Sequence, residues 1–341
     1  MSHPAEWNLQ EKTHVFENFQ FDSGQSLAEL KLRCITLGTP VHDGAGAVTN
    51  AVLLLHNTTG SAETWLRPSL GGTLFGSGQP LDAEKYFLII PDAIGFGVSS
   101  KPSDGLRALF PNYRYADMMR AIHLLVTEAL GVGHLRLVLG ISMGGMLTWM
   151  IAGSYPGLMD AAVPIACQPG PISGRNWIQR RVSIEAIRND PEWNGGEYDK
   201  NPTRYVLTAP FSSLLTQSVV RIQERAPTRE VGDAYYRELV ERARAGDANN
   251  RLYQVEASMD YDPSPDLNKI KTRLLALNFA DDELNPTALG VMEPAIACIP
   301  GARYELIPAG PESNGHLTSL LAALWKPYLR EFLDEANPLV V

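Results

Sequence analysis

A serine framed by glycines, Gly140-Ile-Ser142-Met-Gly144-Gly145, is the strongest chemical signal in this chain. An apolar run at 135–140 precedes it, and a helix-like stretch from Met146 to Ala152 follows at once. A backbone that turns from strand to helix so abruptly leaves no room for side chains beside the turn, which accounts for the glycines. The helix N-terminus next to Ser142 favours negative charge developing there. The chemistry this predicts is nucleophilic attack by the Ser142 hydroxyl, with an acyl group carried on the serine.

Such a serine needs a base, an acid to orient the base, and donors for an oxyanion. On a turn of this type the partners follow in the order serine, acid, histidine. Of seven histidines only His316 lies beyond Ser142. It sits in Asn314-Gly-His316-Leu-Thr, at the start of an amphipathic helix expected over 316–335. His56 precedes the serine and closes a strand-like run, which suits orienting or packing better than proton transfer. Between the two, Phe279-Ala-Asp281-Asp282-Glu283 offers three carboxylates. One can serve the histidine; the others read as solvated loop charge. The N–H of Met143, directly after the nucleophile, is one expected oxyanion donor. The second should come from the loop His56-Asn-Thr58-Thr-Gly60-Ser61.

These residues must be positioned by a sheet. Short apolar runs at 51–56, 86–91, 135–140, 162–167, 274–279 and 304–308 read as strands buried on both faces, hence parallel. A helical stretch at 115–130, closed by Gly131, crosses between the second and third. Residues 13–21 and 30–37 read as an antiparallel hairpin leading into the sheet. No repeat of 20–50 residues is visible. From about 169 to 268 the strand signals stop, and helical pieces at 177–189, 210–225 and 231–245 take their place. The reading is an α/β fold with a core at 1–168 and 269–341 and a helical cap inserted at 169–268.

Composition excludes other classes. The chain has 341 residues, with 29 Lys plus Arg against 38 Asp plus Glu, a net charge of −9. Basic residues form only short clusters such as Arg180-Arg181, so nucleic acid is not an expected partner. Three widely spaced cysteines, Cys34, Cys167 and Cys298, contain no CxxC pair and read as buried free thiols. Neither a signal peptide at the N-terminus nor an 18-residue apolar run is evident, so a cytoplasmic protein without a membrane span is expected. Pro91-Asp-Ala-Ile-Gly95-Phe-Gly97 lacks the third glycine of a dinucleotide loop, since Ser100 stands there. With no P-loop and no HExxH, neither cofactor nor metal is expected.

Together these motifs resemble the α/β-hydrolase superfamily, and more narrowly the homoserine O-acetyltransferase family. Ser142-Met-Gly-Gly-Met resembles that family's nucleophile turn, and His56-Asn-Thr-Thr-Gly60 its oxyanion loop, which implies the Thr58 N–H as second donor. Asp282-x-Leu-x-Pro286 resembles the segment of its catalytic aspartate, and Gly315-His316 its histidine motif. The segment from Ala186 to Tyr198 resembles a cap stretch peculiar to the family. The resemblance implies either acetyl transfer from acetyl-CoA to homoserine or, in close relatives, ester hydrolysis. It also implies a homodimer, in keeping with a cap rich in Leu, Ile and Val. Two departures favour hydrolysis. Where the transferases carry an Arg and, seven residues on, a Tyr to bind the amino-acid acceptor, this chain has Pro210 and Gln217, unless Arg221 or Arg204 substitutes. Ile141 and Leu147 replace a usual Gly and Gln, making the site more apolar. The expected reaction is cleavage of a small carboxylic ester or lactone by Ser142, His316 and Asp282, with no cofactor.

Overall fold

The computed structural model describes residues 7–335; residues 1–6, part of the stretch read for a leader, lie outside it. Eight strands form one sheet in the order β1-β2-β4-β3-β5-β6-β7-β8. Strands β1 (Gln10–Gln20) and β2 (Ser26–Leu37) make the expected antiparallel hairpin, and β2 runs antiparallel to β4. From β4 (Phe87–Pro91) through β3 (Ala51–Leu55), β5 (Leu137–Ile141), β6 (Ala161–Ile165), β7 (Arg273–Phe279) and β8 (Arg303–Ile307) all pairing is parallel.

Every residue of β3, β4, β5 and β6 is buried. Strands covered on both faces have no polar side to alternate with, which is why they read as continuous apolar runs. One face packs on Trp149, Met118 and Ile122; the other packs on Trp65, Trp325 and Phe332. Because β3, β5, β6, β7 and β8 run the same way, the loops that follow them leave from one edge of the sheet. Those loops hold Thr58, Ser142, Asp282 and His316.

Helix α1 (Tyr115–Leu124) continues as a π-turn over Leu125–Ala129 and stops at Gly131, where φ is +64°. Helix α2 (Met143–Ser154) follows β5 directly. Between β6 and β7 the chain is helical: α3 (Gly174–Arg188), α4 (Thr203–Thr208), α5 (Phe211–Thr216), α6 (Val219–Arg225), α7 (Arg229–Arg244) and α8 (Ala248–Glu256). Helix α9 (Met292–Ala297) precedes β8, and α10 (Ala322–Asp334) closes the described chain.

Three expectations are corrected. The helix expected over 210–225 breaks at Gln217, which is extended (ψ 152°), and Ser218 restarts it by accepting the Val220 N–H. The helix expected from 316 instead opens as a 3-10 turn over Leu317–Leu320; Leu321 (φ −108°, ψ 76°) interrupts it before α10 begins. Cys34 and Cys167 are buried as expected, whereas Cys298 is exposed just past the end of α9. No helix of the described residues is long and apolar enough to cross a membrane.

Candidate active site

Ser142 directly follows β5, at φ 56°, ψ −113°, a conformation that costs a non-glycine residue about 1–3 kcal/mol. Tertiary contacts hold it there. Its N–H donates to Ile165 O at 2.8 Å, and its own carbonyl accepts the Met146 N–H at 2.8 Å. The surrounding glycines are spatial necessities: a Cβ on Gly140 would strike the Gly144 carbonyl, and one on Gly144 would strike the Leu55 carbonyl. The turn is thus wedged against the ends of β3 and β6.

His316 Nε2 lies 2.8 Å from Ser142 Oγ, and His316 Nδ1 lies 2.8 Å from Asp282 Oδ2. Of the three carboxylates left open by the sequence, Asp282 alone contacts the imidazole. Asp281 instead accepts the Gly315 N–H at 2.7 Å, holding the histidine loop by its backbone. Glu283 turns outward to Arg175. Asp282 is almost wholly buried and is held by further donors: Leu284 N–H at 2.8 Å on Oδ1 and the Asn285 side-chain amide at 2.9 Å on Oδ2. Burial pushes its carboxyl up, but His316 and these hydrogen bonds outweigh that and hold it below the usual range. It therefore stays ionised and keeps a proton on His316 Nδ1, leaving Nε2 free to accept from the serine.

Asn285 was not read from the sequence. Its amide also donates to the Ala166 carbonyl at 3.0 Å, so one side chain ties the acid loop to the end of β6. The only sequence signal was an amide three residues after a loop aspartate, a common local turn arrangement.

Met143 is the first residue of α2, so its N–H points out of the helix beside Ser142. Thr58 sits half-buried on the loop leaving β3, the strand adjacent to β5. That loop is held from below. Fully buried Asp92 accepts Ala62 N–H at 2.6 Å and Val98 N–H at 2.8 Å, and pairs with the buried Arg33 at 3.3 Å. His56 packs as the sequence suggested: Nδ1 donates to Asn57 O at 2.9 Å and Nε2 accepts Ala93 N–H at 3.1 Å, beside the Phe96 ring. Burial lowers its pKa, so it is neutral.

A family model described as alpha/beta hydrolase fold matches residues 50–292. This chain belongs to the α/β-hydrolase family. It is 30% identical to the homoserine O-acetyltransferase of Pelobacter propionicus over 94% of this chain and 95% of that one, which places it in the homoserine O-acetyltransferase-like branch of this α/β-hydrolase family. Among solved structures, the fold is shared with an acetylester hydrolase from Corynebacterium glutamicum (TM-score 0.79, 22% identity, 95% of this chain and 96% of that one). It is shared equally with a homoserine O-acetyltransferase from Bacillus anthracis (TM-score 0.80, 19% identity, 96% and 98%).

In this α/β-hydrolase the helices between β6 and β7 reach the histidine loop. Asn314 Oδ1 accepts the Ser218 N–H at 3.1 Å, and Arg221 Nε donates to Ser313 O at 3.2 Å. Gly315, at φ +58°, is pressed so closely on Gln217 and Ser218 that a Cβ would meet Ser218 N at 2.9 Å. Pro210 is the N-cap of α5, and the Gln217 amide donates to Tyr235 Oη at 2.7 Å. Both arginines that the sequence offered as replacements for an acceptor clamp have other partners. Arg221 bonds Pro311 O, Ser313 O and Glu224, and Arg204 donates to Asn189 O at 2.6 Å.

Proposed function

We propose that this protein is a serine hydrolase of small carboxylic esters or lactones, with Ser142 as nucleophile, His316 as general base and Asp282 as its orienting acid. The observation that carries this reading is the continuous relay from Asp282 Oδ2 through His316 to Ser142 Oγ, both contacts at 2.8 Å. Ser142 Oγ attacks the ester carbonyl while its proton passes to His316 Nε2. The oxyanion takes the N–H groups of Met143 and Thr58. The carbon–oxygen bond then breaks, and His316 returns the proton to the leaving alcohol. Water attacks the acyl-serine with His316 again as base, and the acid leaves with Ser142 restored.

Residues 169–268 act as a cap that sets substrate size, over a core of 1–168 and 269–341. The cap also carries the self-association surface. Ile178, Leu207, Phe211, Leu214, Val219 and Val220 are each exposed there, and exposed apolar side chains suit burial against a second copy of the chain. The enzyme works as a cytoplasmic homodimer with no cofactor.

A second reading, transfer of an acetyl group from acetyl-CoA to an amino-acid hydroxyl, is favoured by the named relatives. The two share the acyl-enzyme and differ in the acceptor. Pro210 cannot clamp a carboxylate, and Arg221 and Arg204 are engaged elsewhere, which favours water. The test is a pair of assays on wild type and Ser142→Ala: acid release from short-chain p-nitrophenyl esters, and thiol release from acetyl-CoA with and without homoserine. Serine-dependent ester turnover without homoserine-stimulated thiol release supports the hydrolase. Homoserine-stimulated thiol release overturns it in favour of the transferase.

A further inference from the structure

Asn285 closes a ring of contacts that Asp282, His316 and Ser142 leave open. Its amide nitrogen donates to Asp282 Oδ2 at 2.9 Å and to the Ala166 carbonyl at 3.0 Å. Both partners are acceptors, so the NH2 end of the amide must face them, with both of its hydrogens in use. Ala166 follows Ile165, whose carbonyl accepts the Ser142 N–H at 2.8 Å. The path thus runs from the Ser142 backbone through Ile165, Ala166, Asn285, Asp282 and His316, and returns to Ser142 Oγ. Its far side is firmly anchored. Ala166 is held at φ 55°, which is strained for a residue with a Cβ, and its N–H donates to Leu277 O at 2.8 Å. The Asn278 side chain grips the next residue, Cys167, at its N–H (3.0 Å) and its carbonyl (3.2 Å).

The same amide divides one oxygen with the histidine. Asp282 Oδ2 faces His316 Nδ1 at 2.8 Å and Asn285 Nδ2 at 2.9 Å, and the two nitrogens stand 3.5 Å apart. A carboxylate oxygen that already accepts one hydrogen bond is a weaker acceptor for the next. Asn285 is 3% exposed, which leaves water little access to take its place. The other charged or titratable groups around His316 do not compete for Nδ1. Asp281 takes the Gly315 N–H, Arg221 on α6 takes the Ser313 carbonyl, and burial keeps the Cys167 thiol protonated. Ser142 faces the opposite nitrogen, Nε2.

We propose that Asn285 is a positioning residue for the reaction at Ser142: it locks Asp282 to the backbone behind the nucleophile turn and, by taking part of Oδ2, tempers the hydrogen bond from His316 to Asp282. The inference rests on the serine-hydrolase reading and adds a fourth side chain to its machinery. Without the amide, Oδ2 faces Nδ1 undivided. The protonated imidazole is then held more tightly, and His316 becomes available as a base only at higher pH.

The experiment compares wild type with N285L, which keeps the size and loses the amide, and with N285S, which offers one hydrogen where the amide offers two. The pH profile of kcat/KM is measured on p-nitrophenyl acetate, and the His316 Nδ1 proton is followed far downfield by proton NMR. In N285L, kcat/KM at its optimum should fall about tenfold, because the acid loses its anchor. The acid limb should move about one pH unit upward, the size of one hydrogen bond to a charged group. The Nδ1 proton should move further downfield as its bond to Asp282 tightens. N285S should show the same changes to a smaller extent. An unchanged rate, an acid limb that stays in place or an unmoved proton overturns the inference. A merely structural loss lowers the amount of active enzyme without shifting its pH profile. Should N285L not fold, N285S decides by the same readings, and an unmoved limb there ends the inference. If wild type turns over no ester through Ser142, the hydrolase reading fails by itself, and the downfield proton still tests Asn285: unmoved in the variants, it disposes of the proposed role.

Discussion

Asn314 Oδ1 accepts the Ser218 N–H at 3.1 Å, and so the segment between α5 and α6 is fastened to the loop that carries His316. Arg221 adds a second fastening through Ser313 O, and the bare Cα of Gly315 lets the two backbones touch. His316 is therefore positioned from both sides, by Asp281 and Asp282 from the loop after β7 and by Ser218 and Arg221 from the helices between β6 and β7.

Loosening that fastening should impair catalysis more than folding. Asn314→Ala removes one acceptor at a half-buried site and should cost about 1 kcal/mol of stability. The histidine loop gains freedom, and kcat on a p-nitrophenyl ester should fall roughly three- to tenfold, since small misplacements of reacting groups are expensive. Parallel urea denaturation and steady-state kinetics check this. A full loss of stability with unchanged kcat in the surviving fraction would contradict it.

The three neighbouring acids should separate cleanly by substitution. Asp282→Asn keeps the shape but no longer secures the proton on Nδ1, and kcat should drop by about 10²–10⁴. Asp281→Asn retains an oxygen for the Gly315 N–H and should cost less than about tenfold. Glu283→Gln, at an exposed pair with Arg175, should leave both rate and stability within error, because such pairs contribute about 0–1 kcal/mol. Kinetics on the three purified variants give the ranking.

Backbone strain at Ser142 makes a prediction of opposite sign. Ser142→Ala removes activity but keeps a Cβ at φ 56°. Ser142→Gly removes activity and the strain together, and should unfold at higher denaturant than Ser142→Ala by about 1 kcal/mol. Equal midpoints would show that the turn is relaxed.

His56 sets a pH dependence. It is buried neutral in the folded chain, with its pKa lowered chiefly by burial. The unfolded chain binds a proton near the ordinary value of about 6.5, so the unfolded state carries more protons below that pH. Stability contributed by neutral His56 is therefore intact above about pH 6.5 and declines as the pH falls below it. His56→Gln should be less stable than wild type at pH 8, with a difference that narrows toward pH 5, measured by denaturant titration across that range.

Asp92 supports the Thr58 loop through Ala62 and is the buried partner of Arg33. Asp92→Ala strands the Ala62 and Val98 N–H donors, while Arg33 keeps Glu11 and Glu63, and it should cost about 1–3 kcal/mol for each donor left buried. Circular dichroism melts would register this as a large fall in melting temperature.

The sheet was legible because doubly covered strands write themselves as apolar runs, and the serine turn because its glycines have no alternative. The acid was only half legible. Spacing brought Asp281, Asp282 and Glu283 to the same loop, but which carboxylate meets His316 depends on how Asn285 and Gly315 pull on it. The helices between β6 and β7 were the least legible. Residues 210–225 carry one helical pattern across the break at Gln217, and α8 is only nine residues long, with two Asn in its first turn and a short stripe of Ala248, Leu252 and Val255. Arg180 looked like half of a surface basic pair; nothing in its sequence neighbourhood told that it turns inward while Arg181 does not.

Ser142 and His316 stand 174 residues apart in the chain, and Asp282 and His316 stand 34 apart. The Ser142 turn is thus complete long before His316 exists. A ribosome has made the serine turn, its strand and its helix while the imidazole that would activate it is still unsynthesised. During refolding the sheet can form and secondary structure can recover before any serine reacts, because non-local closure comes last. Reactivity here is a certificate of finished folding: labelling of Ser142 by a fluorophosphonate should trail the recovery of circular dichroism, and the interval between the two times the docking of the C-terminal loop onto the sheet.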